Sequence, residues 1–374
     1  MVGVISIGRN PRSEAESSTS VREMVAATEL SRPATVDLFC GAGGLSYGMK
    51  RAGMNIVAGI DVDPACRHPF EINVEAPFHE RDLTEVSASF VASLFPETGS
   101  RVLAGCAPCQ PFSTYTQGQD TEKEQWSLLD KFGELTAELQ PDIVTMENVP
   151  RLTARPVFET FLSALRESGY RYTHRIVRCA SYGVPQTRSR LVLLASRLGD
   201  INLVAPTHSD GSVATVRDTI GHLESIPAGG TGGSDPLHKA SGLSEKNLKR
   251  IRAAKAGGTW RDWEESLRAP CHNRPSGRSY PGVYGRMEWD RPGPTITTQF
   301  HGFGNGRFGH PDQDRAISLR EGALLQTFPA SYSFVPDDGT VHIAPVARLI
   351  GNAVPVKLGE AIGRSIVDHL EEMA

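Results

Sequence analysis

The stretch "AGCAPCQPFSTYTQG", Ala104 to Gly118, places Cys106 and Cys109 in a C-x-x-C spacing, followed by Gln110 and Ser113. Such a pair can be a redox couple, half of a metal site, or one nucleophile beside a second thiol. Redox pairs ordinarily sit at a helix N-terminus on a thioredoxin-like sheet, whereas Cys109 runs into Gln110 and Pro111. Zinc would need further ligands at finger spacing; Cys66 with His68 and Cys271 with His272 stand isolated, so no metal is expected. A single nucleophile fits better. Pro108 and Pro111 bracket the thiol and fix its direction, and a thiolate needs nearby positive charge to form at neutral pH.

Groups that could serve such a nucleophile lie downstream. "DIVTMENVPRL" puts Glu147 and Asn148 just past an apolar strand, where partial desolvation suits a carboxyl to proton donation. "SYGVPQTRSRLVLL" carries Arg188 and Arg190 at alternate positions entering a strand, so both are predicted to project from one face. Paired arginines there can orient a carboxylate, grip phosphate or polarise a carbonyl oxygen. Upstream, "DLFCGAGGLSYG" has glycines at a strand end, which permit a tight turn and close approach of backbone to a ligand. Its spacing is not the strict pyrophosphate pattern. Asp61 in "GIDVDP" is placed to accept from ribose hydroxyls, and Asp82 in "ERDLTEV" from an adenine amino group. Together these features suggest an adenosyl ligand.

The elements that must position these residues follow from periodicity. After a Ser-, Glu- and Arg-rich start, residues 1–33 read as a mobile N-terminal tail. Short apolar runs then alternate with helical stretches: "TVDLF", "LSYGMKRAG", "NIVAGI", "PACRHPFEINV", "RVLAG", "SLLDKFGELTAEL", "DIVTM", "PVFETFLSALRESG", then strands in "YRYTHRIVRCA" and "SRLVLLAS". This pattern predicts an α/β fold, a doubly wound and mostly parallel sheet, over residues 34–196. From residue 197 to 335 Gly, Pro, Arg and aromatics rise, which predicts a second, smaller domain; residues 336–374 are expected to return to the first. The chain's 374 residues, 39% apolar and 22% charged, suffice for a full core. Net charge is −4, yet Lys239 to Asp290 holds eleven lysines and arginines against six acids, a local basic stretch. No apolar run is long enough for a membrane span and the first ten residues lack a signal-peptide pattern, so a cytoplasmic protein with reduced thiols is expected.

The ordered set "DLFCGAGG", "GIDVDP", "RDL", "APCQPFS", "MENVP", "QTRSR", "RAISLREGALLQTFP" and "LIGNAVPVKLGEAIG" resembles the DNA (cytosine-5) methyltransferases, of the bacterial restriction-modification type, from about Thr35 onward. The resemblance implies the S-adenosylmethionine-dependent methyltransferase fold with a target-recognition domain. It implies S-adenosylmethionine as methyl donor, S-adenosylhomocysteine as product, and cofactor contacts at Phe39, Gly41, Gly43, Asp61, Asp82, Pro108, Leu128, Asn352 and Val354. It implies Cys109 as nucleophile, Glu147 on the cytosine ring, and Arg188 and Arg190 as supporting cations. Duplex DNA is the implied substrate, with the target base flipped out. A restriction endonuclease is the implied functional partner of what is expected to be a monomer, associated with the nucleoid through DNA.

Cys106 and Ala107 stand where the family more often has glycine and a proline or phenylalanine, and Cys106 reads as a packing residue. Asp61 replaces a commoner Glu, and Val356 a commoner Pro. DNA contacts are expected from Gln110 and Ser113, and from "PTITTQFHGFGNGRFGHP", which offers His301, Phe303, Asn305, Arg307 and His310, with Arg307 and Asn305 suited to guanine and adenine edges; a packed strand and loop over part of the segment is the alternative. The basic stretch is expected to supply phosphate contacts. Three other readings stay open: the same chemistry on tRNA, a nicotinamide-dependent or C-x-x-C oxidoreductase, and a catalytically dead DNA-binding relative.

Overall fold

The computed structural model of the chain describes residues 32–108, 122–274 and 282–374. Cys109, Gln110 and Ser113 lie outside the described residues, as does nearly all of the expected N-terminal tail.

Seven strands form one sheet: β1 (Ala34–Leu38), β2 (Asn55–Asp61), β3 (Phe78–Glu80), β4 (Arg101–Gly105), β5 (Ile143–Asn148), β6 (Arg171–Arg178) and β7 (Ser189–Ser196). Their order is β3-β2-β1-β4-β5-β7-β6, and β1 to β5 run parallel. The chain steps outward from β1 to β3 and then crosses back to β4. The two halves therefore diverge between β1 and β4, which opens a crevice beyond the C-terminal strand ends. Strand β7 pairs antiparallel with both β5 and β6. The reason is length: the link from Arg178 to Ser189 is too short for a helical crossover, so β6 and β7 can only form a hairpin. Helices α1 (Gly44–Arg51), α2 (Arg67–Val74), α3 (Ala88–Leu94), α4 (Glu122–Leu139) and α5 (Pro156–Glu167) cover the faces. Strands β1 and β5 are buried along their whole length, as central parallel strands packed on both faces must be. Strand β3 and helix α3 have no counterpart in the sequence reading, because three residues with one buried position leave no periodicity to detect.

Helices α6 (Val216–Ile220), α7 (Glu245–Ala253), α8 (Leu319–Leu325), α9 (Ile343–Asn352) and α10 (Val356–Met373) follow. Helix α10 lies against α1 with almost no side chain between the backbones. A Cβ on Gly48 would stand 2.3 Å from the Val356 carbonyl oxygen, and one on Gly359 2.8 Å from that of Leu45. Glycine at these positions is what lets the C-terminal segment return to the first strand's loop. Ile201, Ile220, Phe328 and Tyr332 share one core with Phe70, Val192 and Ile362. A separate small core gathers Ile251, Trp260, Trp263, Phe303 and Ala316.

Of two buried polar clusters, the first joins the parts. Gln186 Nε2 donates to the Leu325 carbonyl and to Gln326 Oε1, both at 2.8 Å, while Gln326 Nε2 donates to the carbonyls of Ile350 and Ala353. Fully buried Arg315 makes a two-pronged pair with Glu321, at 2.6 and 2.8 Å. Glu321 also accepts from the Ser318 backbone N–H, completing the N-terminal cap of α8.

Candidate active site

A cavity of about 730 Å³ opens beyond the ends of β1, β2, β4 and β5, a size suited to a nucleoside-class ligand. Its first wall is the turn after β1, where Phe39, Gly41 and Gly43 all have positive φ, at 59°, 54° and 85°. Asp61 holds this turn: Oδ2 accepts from the Gly41 N–H and Oδ1 from the Asp63 N–H, each at 2.9 Å. Burial raises the Asp61 carboxyl above its ordinary value, against those two donors. Asp63 pairs with Arg348, tying α9 to the same corner. Asp82 accepts from the Thr84 N–H and hydroxyl, and these hydrogen bonds hold its carboxyl below the usual range. Phe39, Gly41, Asp61, Asp82, Pro108, Leu128, Asn352 and Val354 all line the cavity. Gly43 is absent from its wall; a Cβ there would meet Val74 at 2.9 Å and Tyr332 at 3.0 Å, so this glycine serves packing and the start of α1.

Sequence reasoning passed over Asp37. One of its oxygens accepts from Ser46 Oγ at 2.5 Å; the other is buried with no partner, and the residue lines the cavity. Burial pushes its carboxyl up to about 7, with Ser46 opposing and Asp61 adding to the shift. A signal existed: an Asp inside the apolar strand "ATVDL" is costly unless something pairs with it. An unpartnered carboxylate oxygen at the wall fits a cationic ligand group, such as the ammonium of an amino acid moiety. Arg348 gave no local signal, since only the fold brings α9 to the strand ends.

The other end of the cavity holds the reactive groups. Glu147, 2% exposed, ends β5. Arg190 Nε lies 3.0 Å from its Oε1 as an ion-pair contact, without the alignment of a hydrogen bond. The Cys106 thiol donates to Oε2 at 3.0 Å. Cys106 packs against the large core, as expected, and also lines the cavity. Arg188 and Arg190 both border the cavity, yet they differ. Arg188 is buried and donates to the carbonyls of Ile296 and Ala353, with its guanidinium pushed down to about 10 by burial and by neighbouring Arg190. It acts as a strut between segments, whereas Arg190 faces Glu147.

Compared with known proteins, residues 34–368 match the family model of the C-5 cytosine-specific DNA methylases. The chain belongs to that family. The cytosine-5 methylase is 50% identical to the type II methylase M.HgiDII of Herpetosiphon aurantiacus, over 90% of this chain and 96% of that one. It is 30% identical to the type II methyltransferase M.Eco47II of Escherichia coli, over 90% and 79%. Among solved structures, Spodoptera frugiperda DNMT2 superposes with a TM-score of 0.62 at 17% identity, over 90% of this methylase and 99% of that chain, a likeness of fold.

Of the residues expected to meet DNA, Asn305 and Arg307 are exposed. Asn305 Nδ2 reaches the Gln299 side chain and carbonyl. Two other residues of the same segment are interior, as the packed alternative for part of it had it. Phe303 is part of the small core, and His310 lies 3.6 Å from Glu321, its ring pushed down to about 4 by burial. His301 is half-buried beside Ser241. The basic stretch divides likewise. Arg286 is buried, donating to the carbonyls of Ile251, Ala254, His310 and Gln313, and Arg250 stacks near Trp263 and Tyr284. Lys246, Lys249, Lys255 and Arg261 remain exposed. Among the described residues no cluster of His, Cys, Asp and Glu could hold a metal, and no helix is long and apolar enough to cross a membrane.

Proposed function

We propose that this methylase transfers a methyl group from S-adenosylmethionine to carbon 5 of a flipped-out cytosine in a short duplex sequence, through a covalent Cys109 adduct. The observation that carries this reading is a single cavity with the Asp37, Asp61 and Asp82 carboxylates at one end and Glu147 with Arg190 at the other. Such an arrangement suits a nucleoside cofactor meeting a base across a short gap.

Asp37 would hold the cofactor's ammonium, Asp61 and Asp82 its ribose and adenine, and Phe39, Leu128 and Val354 its apolar faces. The bound cofactor supplies an electrophilic methyl group. Cys109 adds as thiolate to carbon 6, giving the ring enamine character so that carbon 5 becomes the nucleophile. Glu147 hydrogen-bonds ring nitrogen 3 and offsets the charge developed in that addition, and the Arg190 guanidinium beside the carboxyl helps hold that charge in place. Loss of the carbon 5 proton to a base then expels Cys109. Exposed Lys246, Lys249, Lys255 and Arg261 would grip phosphates, which offsets the few kcal/mol, roughly, that base flipping costs. The role proposed is that of a cytoplasmic modification enzyme protecting DNA from a partner endonuclease.

Bisulfite sequencing of plasmid DNA from cells expressing wild type or Cys109→Ala tests this. Methylcytosine at one short motif, in the wild type alone, is expected. Equal modification by Cys109→Ala would overturn the mechanism; unmodified DNA together with modified tRNA would overturn the substrate.

A further inference from the structure

Glu147 must present one particular edge of its carboxyl to the base, and a carboxyl on a flexible glutamate turns freely unless something grips it. The Arg190 contact to Oε1 is unaligned, so it attracts the group without setting its plane. The hydrogen bond that does set the plane comes from Cys106, whose thiol donates to Oε2 at 3.0 Å.

The contact is built into the fold. Gly105 and Met146 are paired in the β4–β5 ladder; one step on, Cys106 meets Glu147, and one step further Ala107 meets Asn148. The parallel register is thus continued past the sheet end by side chains, and Cys106 is the rung that falls on Glu147. A glycine in this place would leave the rung empty, and an alanine would fill space without donating.

We infer that Cys106 is a positioning residue of this methylase: its thiol fixes the Glu147 carboxyl so that Oε1 faces the cytosine. With Oε2 committed as an acceptor, any proton Glu147 shares with ring nitrogen 3 resides on the Oε1 edge, the one left without an aligned partner. The inference rests on the proposed cytosine reaction, and it is separable from the second thiol's redox chemistry because it needs Cys106 reduced.

The test compares wild type, Cys106→Ala and Cys106→Ser by the single-turnover methyl-transfer rate from preformed enzyme–DNA complex, with cofactor dissociation constants measured in parallel. A thiol is a weak donor, so Cys106→Ala is expected to slow transfer by about five- to tenfold while cofactor affinity changes by less than about twofold. Cys106→Ser, which keeps a donor, is expected to restore the rate to within about twofold of wild type. Cys106→Ala at the wild-type rate, a loss confined to cofactor affinity, or Cys106→Ser as slow as Cys106→Ala would each overturn the inference. Wild-type protein that methylates no DNA would sink the function itself, an outcome distinct from active wild type with an unimpaired alanine variant.

Discussion

Asn148 Nδ2 donates to the Ala107 carbonyl oxygen at 3.1 Å, so the residue after Glu147 holds the backbone two positions before Cys109. The pair spans the ends of β4 and β5 and fixes the backbone at Ala107, from which the chain continues to the proposed nucleophile. Asn148→Ala is therefore expected to slow methyl transfer by up to about a hundredfold, since a misplacement near 1 Å has that effect on aligned reactants. Cofactor affinity should hardly move. Single-turnover rates beside cofactor titrations check this, and an unimpaired rate would show that the loop is located by other contacts.

Asp37 predicts a pH dependence with a defined sign. Its carboxyl is raised from an ordinary 3.8 to about 7 by burial, so the folded state prefers it protonated. Its contribution to stability is then fully present below about pH 4 and lost as pH rises through about 7. A cation bound beside it needs the ionised form. Cofactor affinity should rise with pH up to about 7, by at most tenfold per unit, and fall again where an α-amino group loses its proton, near pH 7.7–8.0. Asp37→Asn should remove the acidic limb of this curve. Calorimetric titrations at several pH values read it directly; an identical acidic limb in the variant would place the responsible group elsewhere.

Much of this site was legible because its residues sit at the ends of strongly apolar strands. "NIVAGI" and "DIVTM" announce β2 and β5, and Asp61 and Glu147 follow at their ends. That Arg190 meets Glu147 was not legible from either motif. It depends on β7 inserting between β5 and β6, with Asn148 opposite Leu191, a pairing between segments more than forty residues apart. Asp37 carried a signal, an acid inside an apolar strand, but nothing in the sequence said which residues lay around it. For Phe303 and His310 the sequence left two readings open, DNA contact or a packed strand and loop. A Gly- and aromatic-rich segment looks the same whether its rings face DNA or build a small core, and here Trp263 and Tyr284 close over Phe303.

The glycine contact between α1 and α10 makes a prediction about stability. A Cβ at Gly48 would fall 2.3 Å from the Val356 carbonyl, 2.6 Å from the Glu360 N and 2.7 Å from the Gly359 C, all backbone atoms that cannot swing aside. Gly48→Ala is expected to cost about 1–3 kcal/mol, the range for overpacking. Because α10 follows directly on the segment carrying Asn352 and Val354, cofactor affinity should weaken with it. Thermal unfolding with and without cofactor checks both. An unchanged Tm would mean the helices separate more easily than their backbone contact implies.

Arg307 offers the sharpest test on the DNA side. It is exposed, and among the described residues its guanidinium makes no ion pair or hydrogen bond, while its stem packs close to Gly285. With its stem against the Gly285 backbone, the exposed planar head is free to make a two-pronged contact to guanine. Arg307→Ala is expected to weaken specific binding by about 1–3 kcal/mol and to relax the preference at a single base pair. A phosphate contact would behave differently: affinity would fall evenly across sequences, and the slope of log affinity against log salt would shrink by about one. Binding measured on a panel of single-substituted duplexes at several salt concentrations separates these results, and an even loss with a reduced salt slope would remove Arg307 from the residues that read sequence.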